Sequence, residues 1–229
     1  MTRHILPGDP PITITLRKSA RARRYSLRVS RLDGRVTLSV PALGTDQEAI
    51  DFARQKEPWL RRVLQQAGEG RPVVIGGSLP FEGRQLIVAE GAMRAPVVMD
   101  DKILLPSGAR PGPVLKAFLK ASARERLWSA SHDFASRLGR EFSRITLRDT
   151  RSRWGSCTSD GRLMYSWRLV MAPLPVLRYV AAHEVAHLVH MDHSPRFWSV
   201  VAELMPDYAE HRAWLKQNGG ALLLVDFGA

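Results

Sequence analysis

The sequence predicts an α+β fold, and three features carry that prediction. Period-two runs of apolar residues recur through the first hundred positions, helical spacing takes over after residue 113, and a Gly- and Pro-rich stretch at residues 107–113 separates the two regimes. The expectation is an N-terminal, antiparallel, β-rich module with one helix over residues 1–110. A mainly helical core with a small antiparallel hairpin should follow over residues 111–229. A chain of 229 residues can bury a core without a metal or a disulfide to hold it together.

The elements follow in order. ITITL at residues 12–16 and YSLRVS at residues 25–30 alternate as strands do, and VTLSV follows the turn dipeptide Asp33-Gly34, so the runs on either side of it read as a hairpin. Thr45 or Asp46 opens a helix with Ile50, Phe52, Ala53, Trp59 and Leu60 as its apolar positions. Pro58 interrupts it, giving a kink or two short helices. Residues 70–106 return to short strands separated by Gly76-Gly77, Glu82-Gly83 and Asp100-Asp101. Leu115, Phe118, Leu119, Leu127 and Phe134 then hold helical spacing, and Gly139 is the expected stop. RITLRD reads as a strand, and RWGSC with LMYSWRL reads as a second hairpin around Ser159-Asp160-Gly161. Helices are expected after Pro173 and Pro175, from Ser194-Pro195 and after Pro206. No internal repeat is visible.

The charge balance is strongly basic, +12 from 34 Lys and Arg against 22 Asp and Glu. Such a surface attracts polyanions. Residues 17–35 concentrate it: Arg17, Lys18, Arg21, Arg23, Arg24, Arg28, Arg31 and Arg35 stand against the single acid Asp33. This stretch reads either as a nucleic-acid-binding face or as a solvated sheet face. No zinc finger, helix-turn-helix or RNP signature points to base readout. The single cysteine, Cys157, excludes an intramolecular disulfide and suggests a reducing compartment. No apolar run approaches the roughly 18–20 residues of a membrane helix. A cytoplasmic protein without membrane association is expected.

The chemistry lies in residues 176–198, VLRYVAAHEVAHLVHMDHSPRFW. Side chains four apart on a helix project from one face, so His183 and His187 can chelate one ion, with Glu184 beside them to take a proton from water. Leu177, Val180, Ala181, Val185 and Leu188 cluster on the adjoining side and should face the core. A catalytic zinc takes a third protein ligand. His190 lies about 10 Å further along the axis than His183, too far for three rings on one straight helix. Ser194 and Pro195 form a strong helix start, so the first helix must break around residues 190–192 and the chain must reverse, which can return His193 to the ion. Glu203, on the following helix, is a further alternative. Phe197 and Trp198 read as the packing anchor of that turn.

RWGSC at residues 153–157, SWRLVMAP at residues 166–173, HEVAH at residues 183–187 and HSPRFW at residues 193–198 together resemble the YgjP-like metallopeptidases, relatives of the SprT/Spartan-type zinc proteases. The resemblance implies a zincin-like core, Zn²⁺ on His183, His187 and His193, Glu184 as catalytic acid/base and an RWGSC strand bordering the cleft. The sequence departs from the family's usual asparagine at Ser166. It also departs from metzincin proteases, which have glycine where His190 stands.

A zinc-dependent peptidase with Glu184 as general base is therefore the expected function, acting on a peptide or protein. The alternatives are a zinc hydrolase of a small phosphorylated molecule such as a nucleotide, in line with the nucleotide pyrophosphatase activity suggested for the family, and a nucleic-acid-associated protease or adaptor using the basic N-terminal face. Intact Glu184 argues against an adaptor that has lost its chemistry. Tyr165, Arg168 and His190 are candidate oxyanion donors. Trp154, Trp167 and Trp198 read as core before substrate contacts, with Trp154 kept as a candidate substrate contact. Residues 151–156 either pair with an extended substrate or serve as a plain strand. Cys157 reads as packed or cleft-lining rather than nucleophilic. His4, His132 and His211 read as surface or structural. The tail at residues 219–229 is long enough to reach over the cleft.

Overall fold

The computed structural model describes residues 2–30, 34–66 and 70–228. It divides into two compact units, Met1–Gly70 and Arg71–Ala229.

In the first unit, β1 (Thr2–Leu6), β2 (Ile12–Ser19), β3 (Ser26–Val29) and β4 (Val36–Pro41) form a sheet of order β1-β2-β4-β3. Alternation puts Ile12, Ile14 and Leu16 of β2 and Val36, Leu38 and Val40 of β4 on one buried face. The expected hairpin is present as the antiparallel β3–β4 pair; Asp33 of its turn lies outside the described residues. The sheet is not purely antiparallel, because β2 and β4 run parallel. Helix α1 (Asp46–Gln55) begins at Thr45, whose hydroxyl accepts from the Glu48 N–H while the Glu48 carboxylate accepts from the Thr45 N–H. Pro58 falls in the first turn of a second helix, α2 (Glu57–Gln66), where a missing N–H costs nothing, so the chain makes two helices and not one kinked one. Ala49, Ala53 and Leu60 close over the sheet. Arg17 and Arg28 lie on exposed strand positions and Arg21, Arg23 and Arg24 in the β2–β3 connection, all five exposed.

The second unit opens with β5 (Arg71–Pro72), β6 (Ser78–Phe81), β7 (Arg84–Gly91), β8 (Val97–Met99) and β9 (Lys102–Pro106). Strands β6 to β9 form a sheet of order β6-β7-β9-β8 with the same pairing senses as the first sheet, a repeat of topology that no sequence period announces. Leu79, Phe81, Leu86, Val88, Ile103 and Leu105 share one core with Leu115, Leu119, Ala123, Leu127 and Phe134 of α3 (Pro111–Arg137). The stretch at residues 107–113 is therefore a turn into α3, with Gly108 at φ +73° and Pro111 at the helix start, and the structure divides the chain at Gly70 instead. Gly139, at φ +59°, ends α3: its N–H donates to the Ser136 carbonyl and that of Arg140 to the Ala135 carbonyl.

Next come β10 (Arg144–Arg148), β11 (Gly155–Cys157) and β12 (Arg162–Ser166), in order β10-β12-β11. The expected second hairpin is the β11–β12 pair. A 3-10 turn (Trp167–Met171) leads into α4 (Leu174–Ala186), followed by α5 (Pro195–Leu204), α6 (Tyr208–Leu223) and β13 (Val225–Asp226), which pairs with β5. Among the described residues no helix is long and apolar enough to cross a membrane.

The tail is tied into the fold. Phe227 is buried edge-on to Trp167 at 5.2 Å. The Arg168 guanidinium donates from Nη1 to the carbonyls of Leu222 and Val225 at 3.0 and 2.9 Å, and from Nε and Nη2 to Asp149 at 2.6 and 3.3 Å. Arg168, expected as an oxyanion donor, is thus fully engaged in clamping the C-terminus. Removing it leaves two buried carbonyls and a carboxylate unpaired. Arg168→Ala is expected to lower stability by roughly 2–3 kcal/mol, read as a fall in the urea midpoint at unchanged slope; an unchanged midpoint would show that the clamp is not needed.

Candidate metal centre

Helix α4 is the most enclosed helix of the site. Leu177, Val180, Ala181 and Val185 are buried along one side, as their spacing predicts, and Glu184 is only 5% exposed. Beside it passes β11. A Cβ on Gly155 would lie 2.6 Å from Glu184 Cγ, so glycine is required there for the carboxylate to occupy its place. Burial pushes the Glu184 carboxyl up to about 8, with the nearby Arg153 charge opposing the shift.

The helix stops one residue before His187, whose backbone keeps helical angles as the C-cap. The His190 N–H then donates back to the Ala186 carbonyl at 3.1 Å, and the His190 carbonyl accepts from His187 Nδ1 at 2.9 Å. A carbonyl only accepts, so Nδ1 carries the proton and Nε2 keeps a free lone pair. Asp192 accepts from the Ser194 N–H, and Ser194 caps α5 by accepting from the Phe197 N–H. The chain has reversed, and His193 stands opposite α4.

Three imidazoles converge there. One ligand nitrogen from each of His183, His187 and His193 lies within 4.8 Å of the other two, and the Nε2 atoms of His183 and His193 are 3.1 Å apart. A tetrahedral ion with Zn–N bonds of about 2.0–2.1 Å holds its nitrogens about 3.4 Å apart. The set therefore fits one ion with small side-chain adjustment. Burial, followed by the neighbouring His187, His193 and Arg212 charges, takes His183 down to about 3, and burial lowers His187. Both are neutral at physiological pH, the form that binds metal. Phe197, fully buried, supports all three rings at centroid distances of 4.4–4.9 Å, and Trp198 lies 5.6 Å from His183, as the packing-anchor reading expects.

The remaining expectations divide. Glu203 and His190 are outside the cluster: Glu203 is exposed, and His190 contributes its backbone carbonyl. Tyr165 is no oxyanion donor, because it is fully buried with its hydroxyl 2.9 Å from Ser131 Oγ. Ser166 is likewise buried and cannot meet a substrate. Only Gly155–Cys157 of residues 151–156 and their neighbour form strand, and β11 is an edge of its sheet. Burial first, then Glu184 and Asp160, raises the Cys157 thiol to about 11, which keeps it protonated and not nucleophilic. Trp154 does border a pocket, of about 580 Å³, with Tyr179, Tyr208, Arg212 and Leu215.

Sequence reasoning missed four parts of the site. Gly155 could have been found from its place inside RWGSC beside the helix; Tyr179, Tyr208 and Arg212 carry no local signal. It also missed a second basic face. A pocket of about 510 Å³ is lined by Arg144, Arg148, Arg153 and Arg162 with Thr146 and Ser156. The alternation R-x-T-x-R over residues 144–148 was its signal.

A family model described as the YgjP-like metallopeptidase domain matches residues 23–218 of the chain. The chain belongs to the YgjP-like metallopeptidase family. No curated protein matches it. No solved structure matches it either. Membership in a metallopeptidase family implies a metal ion, and His183, His187 and His193 are the described residues arranged to hold one.

The buried carboxyl gives a test without turnover. A Glu184 raised in the folded state contributes stability that is full below its unfolded value, near 4.5, and is lost as pH rises towards about 8. Metal-free Glu184→Gln should therefore melt higher than metal-free wild type at pH 8, and the gap should close towards pH 5. A gap independent of pH would contradict the buried, raised carboxyl.

Proposed function

We propose that this YgjP-like protein is a zinc-dependent peptidase in which His183, His187 and His193 hold the metal and Glu184 is the general base. One observation carries the reading: three imidazoles meet beside a buried carboxyl group that lies on the same helix as His183, with His187 at that helix's C-cap. An all-imidazole donor set suits zinc among the common divalent ions. Zinc, when bound, supplies Lewis-acid activation of water and of the scissile carbonyl.

The protein's own groups do the rest. Glu184 takes the proton of the attacking water and delivers it to the leaving amine. The His190 carbonyl fixes the tautomer and direction of His187. Gly155 leaves room for Glu184, and the open edge of β11 offers backbone groups to an extended peptide. A cytoplasmic location belongs to the same proposal, since a lone half-buried thiol serves no disulfide framework.

A second reading, hydrolysis of a small phosphorylated molecule, is favoured by the arginine-lined pocket. Its guanidinium and hydroxyl groups suit phosphate oxygens, and Arg153 links it to Glu184.

Glu184→Gln is expected to keep its metal while losing turnover by about 10²–10⁴-fold. Gly155→Ala should also keep metal but lose about 10²-fold in kcat by displacing the carboxylate. Wild type, tested side by side on a peptide mixture and on nucleoside triphosphates, should cut peptides in a Glu184-dependent way. Glu184-dependent release of phosphate or pyrophosphate with no peptide cleavage would replace the first reading by the second.

A further inference from the structure

The pocket bordered by Trp154 has an unusual combination of walls and charge. Trp154, Tyr179, Tyr208 and Leu215 give it apolar sides, and Arg212 and Lys216 of α6 add two cations. The Arg212 side chain makes no ion pair or hydrogen bond among the described residues. Asp207, at the start of the same helix, is paired with His211 at 3.0 Å. Lys216 lies four residues beyond Arg212 on the same helix, a like-charge spacing that weakens a helix. Neither cation is neutralised by an acid among the described residues.

The Arg212 guanidinium is nevertheless held in position, 4.7 Å from the Trp198 ring centroid. Trp198 stacks on Tyr208 at 5.4 Å and lies 5.6 Å from His183, while Tyr179 stands edge-on to His183 at 6.1 Å. The pocket and the three imidazoles thus share a wall of aromatic rings, and the Arg212 charge is close enough to bear on His183.

Resting on the peptidase reading, we propose that this pocket is a substrate-recognition site in which Arg212, with Lys216, binds a carboxylate of the peptide while the aromatic walls take the adjoining side chain. A guanidinium fork matches a carboxylate in geometry, and Arg212 and Lys216 are both exposed, open to an incoming ligand. The carboxylate has two sources, the C-terminus of the substrate or an Asp or Glu side chain. The first would make the enzyme a carboxypeptidase-like trimmer of chain ends; the second would make it selective for acidic residues.

The test uses full-length, zinc-loaded protein and matched fluorescent peptides: one set with a free C-terminus, one amidated, and one amidated with Glu at the last position. Binding to Glu184→Gln is read by polarisation, and cleavage by wild type by mass spectrometry. Arg212→Ala in the Glu184→Gln background should weaken binding of free-acid peptides about tenfold or more, with Lys216→Ala weaker in effect. Amidation should cause a similar loss, and the two changes together should lose little more than either alone. Recovery of affinity by the terminal Glu assigns the site to acidic side chains; no recovery assigns it to the C-terminus. In wild type, Arg212→Ala should raise KM with kcat nearly unchanged. Equal binding of acid, amide and Glu-ended peptides, or indifference to Arg212→Ala, would overturn the proposal. Binding that behaves as expected in a protein that cuts no peptide would count against the peptidase reading alone.

Discussion

The site depends on one chain reversal. Helix α4 can offer two imidazoles from one face, because helical geometry spaces residues four apart by one turn. It cannot offer a third, and the segment after it supplies that ligand only by folding back. Several small interactions fix the reversal together: the His190 N–H returns to Ala186, its carbonyl takes His187 Nδ1, Asp192 and Ser194 satisfy the next backbone donors, and Phe197 packs under all three rings. The same carbonyl that closes the turn also sets the His187 tautomer. Local chain folding and metal-ligand geometry are here a single constraint.

The second constraint is enclosure of Glu184. A carboxyl buried in the core of the unit is costly in its charged form, and nothing in the surrounding α4–β11 packing neutralises it except the moderating charge of Arg153. In the proposed reaction this is the position where proton exchange near neutral pH is useful. Gly155 shows how deliberately the space is kept, since the smallest side chain would intrude on it.

Much of this was legible in the sequence because it is local. The i, i+4 histidines, the Ser194-Pro195 helix start and the Gly139 stop each rest on a few neighbouring residues, and the structure has them where the spacing puts them. What depended on remote partners was not legible. Alternation in β2 and β4 marks their buried faces but not that they pair in parallel. The glycines and prolines at residues 107–113 look like a linker, yet they only turn the chain into α3 over a shared core. Tyr165 alternates with Leu163 on β12 and shares its buried face, which the period-two pattern could have told; Arg168 is directed by a 3-10 turn to carbonyls far along the chain, which no pattern could. Arg212 becomes part of the site only through the stacking of Trp198 and Tyr208.

The central claim is that one ion sits on three imidazoles drawn from both sides of the reversal. X-ray absorption at the zinc edge, on protein reconstituted with one equivalent of Zn²⁺, measures this most directly. The account predicts a first shell with three imidazole nitrogens at about 2.0–2.1 Å, falling to two in His193→Ala together with a loss of affinity. A shell that His193→Ala leaves unchanged, or protein that retains no zinc after reconstitution, would contradict it.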